Sequence, residues 1–188
     1  MMKGRLHNPM PITHWKVLGS SHPRKYLRID QCELPNGQLI EKMIFEFGTW
    51  ANIVAITKEQ QIILIKQYRH GVGKIIWEIP GGAVDPGESP LQAAGRELLE
   101  ETGYSAASLV ELGALSPNPD NHTNLIHTFL ALNAERISDQ DLDATEEIDV
   151  FLIPLDEVIR MAIAGELLQS MQVSALFLVL AYLHRIAA

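Results

Sequence analysis

The sequence predicts a mixed α/β protein: an α/β/α sandwich on a mixed sheet, preceded by an antiparallel β-meander. Three observations point there. Short alternating or β-branched runs fill the first third, one well-capped helix stands in mid-chain, and apolar helices close the chain. Strands first, a helix between strands and helices last are the pattern of layered mixed folds.

Each element has its own signal. Trp15-Lys16-Val17-Leu18 and Tyr26-Leu27-Arg28-Ile29 alternate as short strands. Leu34-Pro35-Asn36-Gly37 is a turn, with Asn-Gly expected to supply the positive φ angles of a tight hairpin, and residues 38–47 return as a strand. Ile53 to Thr57 and Ile62 to Gln67 are β-branched runs around a Lys58–Gln61 hairpin. Ser89 to Thr102 is the clearest helix. Ser89 and Gln92 form a capping box, Pro90 takes the first helical position, and Gly103 is the C-terminal cap. Leu91, Ala94, Gly95 and Leu98 are its expected buried stripe. Strands are expected at Leu109–Leu115, Leu125–Ala131 and Ile148–Ile153, and helices at Leu155–Ala164 and Val173–Ile186. A boundary near Gly48 separates a meander, residues 1–47, from a main domain, residues 48–188.

Composition narrows the function. A chain of 188 residues buries roughly 70% of its unfolded surface, so it needs no disulfide or structural zinc. The net charge is -8, from 23 acids against 15 bases, which argues against a nucleic-acid binder and suits a protein that gathers divalent cations. The single cysteine, Cys32, excludes an internal disulfide and fits a reducing cytoplasm. No membrane segment is expected. The longest apolar run, Ala175 to Leu183, is far short of the roughly 20 residues that a span needs. Asn8, Pro9 and Pro11 stand where an export signal would have its apolar core.

The mid-chain helix carries an oddity. Glu97, Glu100 and Glu101 fall at i, i+3 and i+4, so their carboxylates share one edge and repel. They also sit in the last turns, where the helix dipole disfavours acids. A bound hard cation reverses the sign of each of these terms. Mg²⁺ in particular prefers a few carboxylates together with waters and substrate phosphates.

The surroundings complete a pattern. Gly82, five residues, Glu88, seven residues, then Arg96-Glu97-Leu98-x-Glu100-Glu101-x-Gly103-Tyr104 resembles, over 23 residues, the signature box of the Nudix hydrolases. The weaker resemblance runs from about Trp15 to Gly165. It implies the Nudix fold and a loop–helix–loop that binds divalent metal, Mg²⁺ or Mn²⁺, two or more ions per site, against a diphosphate. Glu97 and Glu101 would be direct ligands, Glu100 a ligand or the holder of a metal-bound water, and the Gly81 carbonyl would complete the shell. Glu88 and Arg96 resemble the supporting pair, with Arg96 orienting carboxylates. Tyr104 stands where the family more often has an aliphatic residue. The implied reaction is substitution by water at phosphorus in a P–O–P linkage.

Other segments bear on substrate. Pro119, sixteen residues after Gly103, and Gln67-Tyr68-Arg69-His70-Gly71 resemble the ADP-ribose pyrophosphatase branch, as does Glu78-Ile79-Pro80 running into the box. Trp50-Ala51-Asn52 and Pro117-Asn118-Pro119 resemble a subgroup of nucleoside-diphosphate-sugar pyrophosphatases, with Asp120 where that subgroup commonly has alanine. Arg69 is a phosphate-contact candidate because a guanidinium matches phosphate oxygens bidentately. Glu78, beside the glycines, is a candidate on the ribose or adenine side. Arg28 in the meander and Trp50 are the further substrate-binding candidates, and Trp15, Trp77 and Tyr26 offer other stacking faces. His122 and His127 lack metal-ligand spacing. The family adds a carboxylate from a late loop, as base or extra ligand, and Thr145-Glu146-Glu147-Ile148 offers Glu146. The meander resembles a dimerisation and base-binding arm, which implies a homodimer. The expected activity is hydrolysis of ADP-ribose to AMP and ribose 5-phosphate. The alternatives are another Nudix substrate, GDP-mannose or a nucleoside triphosphate, and a non-catalytic nucleotide-sensing module. Such modules typically lose box glutamates, and this box is complete.

Overall fold

Pairing of neighbouring strands builds the N-terminal sheet. In the computed structural model, which describes residues 13–183, β1 (Lys16–Arg24), β2 (Leu27–Glu33) and β3 (Leu39–Phe45) form an antiparallel sheet in that order. The chain divides into two compact units. Among the described residues, the first takes 13–47 together with Asn118–Thr123, and the second takes the rest. In the first unit the Leu34–Gly37 turn differs from expectation: Gly37 has φ 81° but Asn36 does not share the positive φ. The Gly37 N–H donates to Leu34 O at 2.8 Å, and the Leu34 N–H donates to Gln38 O at 2.9 Å. One left-handed glycine therefore closes the hairpin, and Asn36 instead accepts the Gln38 N–H at 3.0 Å. Asn118–Thr123 joins this unit through the Phe45 N–H to Asn121 O, 2.7 Å, and the Thr123 N–H to Phe45 O, 3.1 Å. Asp120 pairs with Lys42 at 2.9 Å, and the His122 ring stands edge-on to Phe45 and Phe47. Cys32 is buried.

The second unit is a mixed sheet between helices. Its strands are β4 (Trp50–Thr57), β5 (Gln61–Arg69), β6 (Lys74–Glu78), β7 (Gly81–Ala83), β8 (Tyr104–Ser105), β9 (Leu109–Leu115), β10 (Ile126–Arg136) and β11 (Ile148–Pro154). β4 and β10 run parallel, from Trp50↔Ile126 to Thr57↔Ala134, while β11 pairs antiparallel with β5 and β9 antiparallel with β10. The helices are α1 (Pro90–Thr102), α2 (Leu155–Ala164) and α3 (Ser170–Tyr182). β4 and β5 are apolar on both faces, as a sheet covered on both sides requires. Ala51, Ile53, Ala55 and Ile63 face α1, packing on Ala93, Ala94 and Leu98. Val54, Ile56, Ile62 and Leu64 face α2 and α3, packing on Val158, Met161, Leu176 and Val179. None of the described helices is long and apolar enough to cross a membrane.

Three local expectations shift. The buried stripe of α1 is Ala93, Ala94, Leu98, Glu101 and Thr102, whereas Leu91 is exposed. The helix is rolled so that small alanines meet the sheet, and one consequence is that Glu101 goes inward. α3 begins at Ser170, before the expected Val173, because Gln169 serves as N-cap without a side-chain bond and so leaves no sequence signal. The expected Ile186 end lies outside the described residues. β6, β7 and β8 are short strands beyond those expected, and they pair with β5, β4 and β10 respectively.

Candidate active site

The site opens where two strands part. β4 and β5 pair at Ile56↔Ile62; beyond that point β6 lies on β5 and β7 lies on β4. The Ile53 N–H donates to Pro80 O at 2.9 Å, pinning the β6–β7 link into the gap. A cavity of about 300 Å³ forms there, lined by Trp50, Gln67, Arg69, Gly81, Gly82, Ala83, Asp85, Arg96, Glu97, Glu101, Asp143 and Glu146.

α1 delivers the carboxylates. The Ser89 side chain accepts the Gln92 N–H while the Gln92 side chain accepts the Ser89 N–H, and Gly103 ends the helix at φ 73°. Both ends are therefore fixed, and the register of the glutamate edge with them. Glu101 is 3% exposed, and its Oε2 accepts the Gly81 N–H at 2.7 Å. Burial, reinforced by the charges of Glu97 and Glu146 against the opposing Gly81 bond, pushes its carboxyl up to about 8. Burial likewise raises Glu97. The two glycines differ in what a side chain would meet. A Cβ on Gly81 would strike Ala51 O, and one on Gly82 would land on the Glu97 carboxylate.

Arg96 knits this edge together. It donates to both Glu88 oxygens at 3.0 Å, to Ala83 O at 3.0 Å, to Glu97 Oε1 at 2.8 Å and to Glu100 Oε2 at 3.0 Å. Its hydrogen bonds to Glu88 are the largest cause raising its own pKa and holding Glu88 below the usual carboxylate range. With this many carboxylate and carbonyl partners, Arg96 is a spacer among the acids.

The remaining candidates fall as follows. Arg69 reaches the cavity, and its Nε lies 3.0 Å from each oxygen of Glu78, with Nη2 at 2.8 Å. Glu78, expected toward ribose or adenine, is 1% exposed and serves as the counterion that aims Arg69. Trp50 lines the cavity and donates through Nε1 to Asn52 Oδ1 at 3.0 Å. Trp77 stands edge-on to Phe151 with Lys66 over its ring. Glu146 lines the cavity and accepts the Asp143 N–H at 3.1 Å, whereas Glu147 is exposed. Arg28 belongs to the N-terminal unit, where it pairs with Asp30 at 2.9 Å and with Glu46. His127 pairs with Glu111 at 2.7 Å. Sequence reasoning did not single out Gln67 alone, nor Asp85 or Asp143, as cavity residues. The Gln67-Tyr68-Arg69 segment held the one usable signal, since strand alternation turns Gln67 and Arg69 to one face.

The donor set suits a hard divalent cation. It is all oxygen, and two of its carboxylates resist ionisation in a way that a cation would relieve. Among the described residues no three His, Cys, Asp or Glu side chains are gathered as a ligand cluster. Arg96 holds Glu97 and Glu100, and the Gly81 N–H holds Glu101. Gly82→Ala is expected to cut turnover about tenfold or more by displacing Glu97, with a stability loss of about 1 kcal/mol or less, since a flexible side chain absorbs the clash. Paired kinetics and thermal unfolding check it.

Comparison with known proteins agrees with this architecture. The NUDIX domain model matches residues 48–171. An ADP-ribose pyrophosphatase of Bacillus subtilis (strain 168) is 33% identical over 141 residues, 74% of this chain and 76% of the relative. A methanol dehydrogenase activator of Bacillus methanolicus is 35% identical over 135 residues, 71% and 73% respectively. A solved structure described as an ADP compounds hydrolase superposes with TM-score 0.81 at 25% identity, covering 94% of this chain and 98% of its own. The family model spans more than half of the chain, and the Bacillus subtilis relative covers more than two thirds of it, so this chain belongs to the Nudix family as a Nudix hydrolase.

Proposed function

We propose that this hydrolase splits the diphosphate of a nucleoside-diphosphate sugar, ADP-ribose foremost, into AMP and ribose 5-phosphate. The observation that carries the reading is the pairing of opposites in one cavity: a carboxylate edge beside Arg69, whose guanidinium is aimed by the buried Glu78. The name of the Bacillus subtilis relative supports it.

Nudix hydrolases are generally divalent-metal dependent. Here Glu97, Glu101 and the Gly81 carbonyl would hold two or more Mg²⁺ or Mn²⁺ ions, with Glu100 as a ligand or the holder of a bound water. Such ions neutralise phosphate oxygens and make a nearby water more acidic. The protein's own groups do the rest. Arg69 grips the diphosphate. Arg96 keeps the three glutamates at fixed spacing. Glu146 accepts the proton of the attacking water, whose oxygen bonds to one phosphorus as the bridging P–O bond breaks toward the other phosphate. The meander, with Arg28, acts as a dimerisation and base-binding arm. The acidic net charge supports a small-molecule partner over nucleic acid, and the single cysteine supports a cytoplasmic setting.

A panel of ADP-ribose, ADP-glucose, GDP-mannose, UDP-glucose and triphosphates, with products resolved by ³¹P NMR, tests the reading. ADP-ribose is expected to turn over fastest, releasing AMP and ribose 5-phosphate without inorganic pyrophosphate. A triphosphate as best substrate, with pyrophosphate released, would overturn it.

A further inference from the structure

Among the described residues of the larger unit, three buried side-chain atoms lack a hydrogen-bond partner: Asn52 Nδ2, Asn124 Oδ1 and Gln67 Oε1. Of those three residues, Gln67 is the one that lines the carboxylate cavity. It is 9% exposed and sits on β5 between Ile148 and Ile76, two residues before Arg69 on the same strand face. Folded proteins seldom leave a buried amide oxygen unpaired, because it has given up water and gained nothing. An unpaired amide that lines a reaction cavity can take its partner from a bound molecule.

The cavity's chemistry says what that partner is. Arg96 is committed to carboxylates, Arg69 shares its guanidinium with Glu78, and the acids Asp85, Glu97, Glu101, Asp143 and Glu146 repel anions. Gln67 brings a neutral group with both donors and an acceptor. It can touch a phosphate oxygen without adding to the negative charge, and without competing with the acids for a cation.

We infer that Gln67 is a substrate-contacting residue: its amide N–H donates to a non-bridging oxygen of the diphosphate beside Arg69, and its Oε1 takes up a water or hydroxyl hydrogen that enters with the substrate. This rests on the diphosphatase reading above. The contact also gives specificity, since a site built around a hydrogen-bonding amide rejects ligands that leave the amide unpaired.

The test uses the full chain with Mg²⁺, comparing wild type with Gln67→Leu and Gln67→Glu on ADP-ribose and monitoring thermal unfolding of the substrate-free proteins. Gln67→Leu is expected to lower kcat/KM about tenfold or more while its unfolding midpoint stays level or rises, because an unpaired buried polar group has been removed. Gln67→Glu is expected to lose more, since its charge faces the diphosphate. A merely structural glutamine would move activity and stability down together. Wild-type kcat/KM in Gln67→Leu would overturn the inference, as would parallel loss of activity and stability in Gln67→Leu with full activity in the near-isosteric Gln67→Glu. A wild type that cleaves no diphosphate would overturn the hydrolytic reading itself, so the two failures are distinguishable.

Discussion

Glu101→Gln is expected to lower turnover at saturating Mg²⁺ by about a thousandfold or more. The change keeps the shape of the side chain and its bond from the Gly81 N–H, and it removes the charge from the most deeply buried carboxylate of the edge. Near-normal turnover would remove Glu101 from the proposed ligand set. The same variant carries a stability signature. In the metal-free protein the Glu101 carboxyl stands at about 8, above its ordinary unfolded value. A group raised on folding contributes stability that is fully present below its unfolded pKa and is lost as pH rises through its folded one. The metal-free wild type should therefore lose stability between about pH 4.5 and 8, on the order of a few kcal/mol, and Glu101→Gln should flatten that slope. Adding Mg²⁺ at pH 8 should raise the wild-type midpoint and leave the variant's nearly unmoved. Thermal melts across pH, with and without Mg²⁺, read all three expectations. A wild-type profile that is flat, or that rises over that range, would contradict the buried, repelled carboxyl as the source.

Glu146→Gln is expected to reduce kcat by about a hundredfold or more with KM nearly unchanged, the pattern of an interaction made only in the transition state. Glu147→Gln should do far less. The two acids are adjacent in sequence, but Glu146 lines the cavity and Glu147 faces solvent. Removing the Glu146 charge also removes one of the repulsions that raise Glu97 and Glu101, so the pH dependence of metal-free stability should shift to lower pH. If the two variants exchange behaviour, the neighbouring residue carries the proton. If both keep full kcat, the base lies outside this loop.

The α1 region was readable without the structure because its signals are local. A capping box, a proline in the first turn and a C-terminal glycine are each complete within four or five residues, and each forms as read. The roll of the helix was not readable. Leu91 offers more apolar surface than Ala93, yet close approach to β4 and β10 selects the alanines, and this is what carries Glu101 into the interior.

The acidic triplet, the glycine pair and Arg96 were thus legible in residue order alone, as were the β-branched runs that bury β4 and β5. The fork between those strands was decided only by tertiary pairing. So were the Glu78 counterion under Arg69, the separation of Glu146 from Glu147, the unpaired Gln67 and the transfer of Asn118–Thr123 to the N-terminal unit. The physical reason is range. Helix caps and strand periodicity are satisfied by near neighbours and leave a pattern in the sequence. A carboxylate's counterion, or an amide's missing partner, depends on which distant strands meet, and no short window records that.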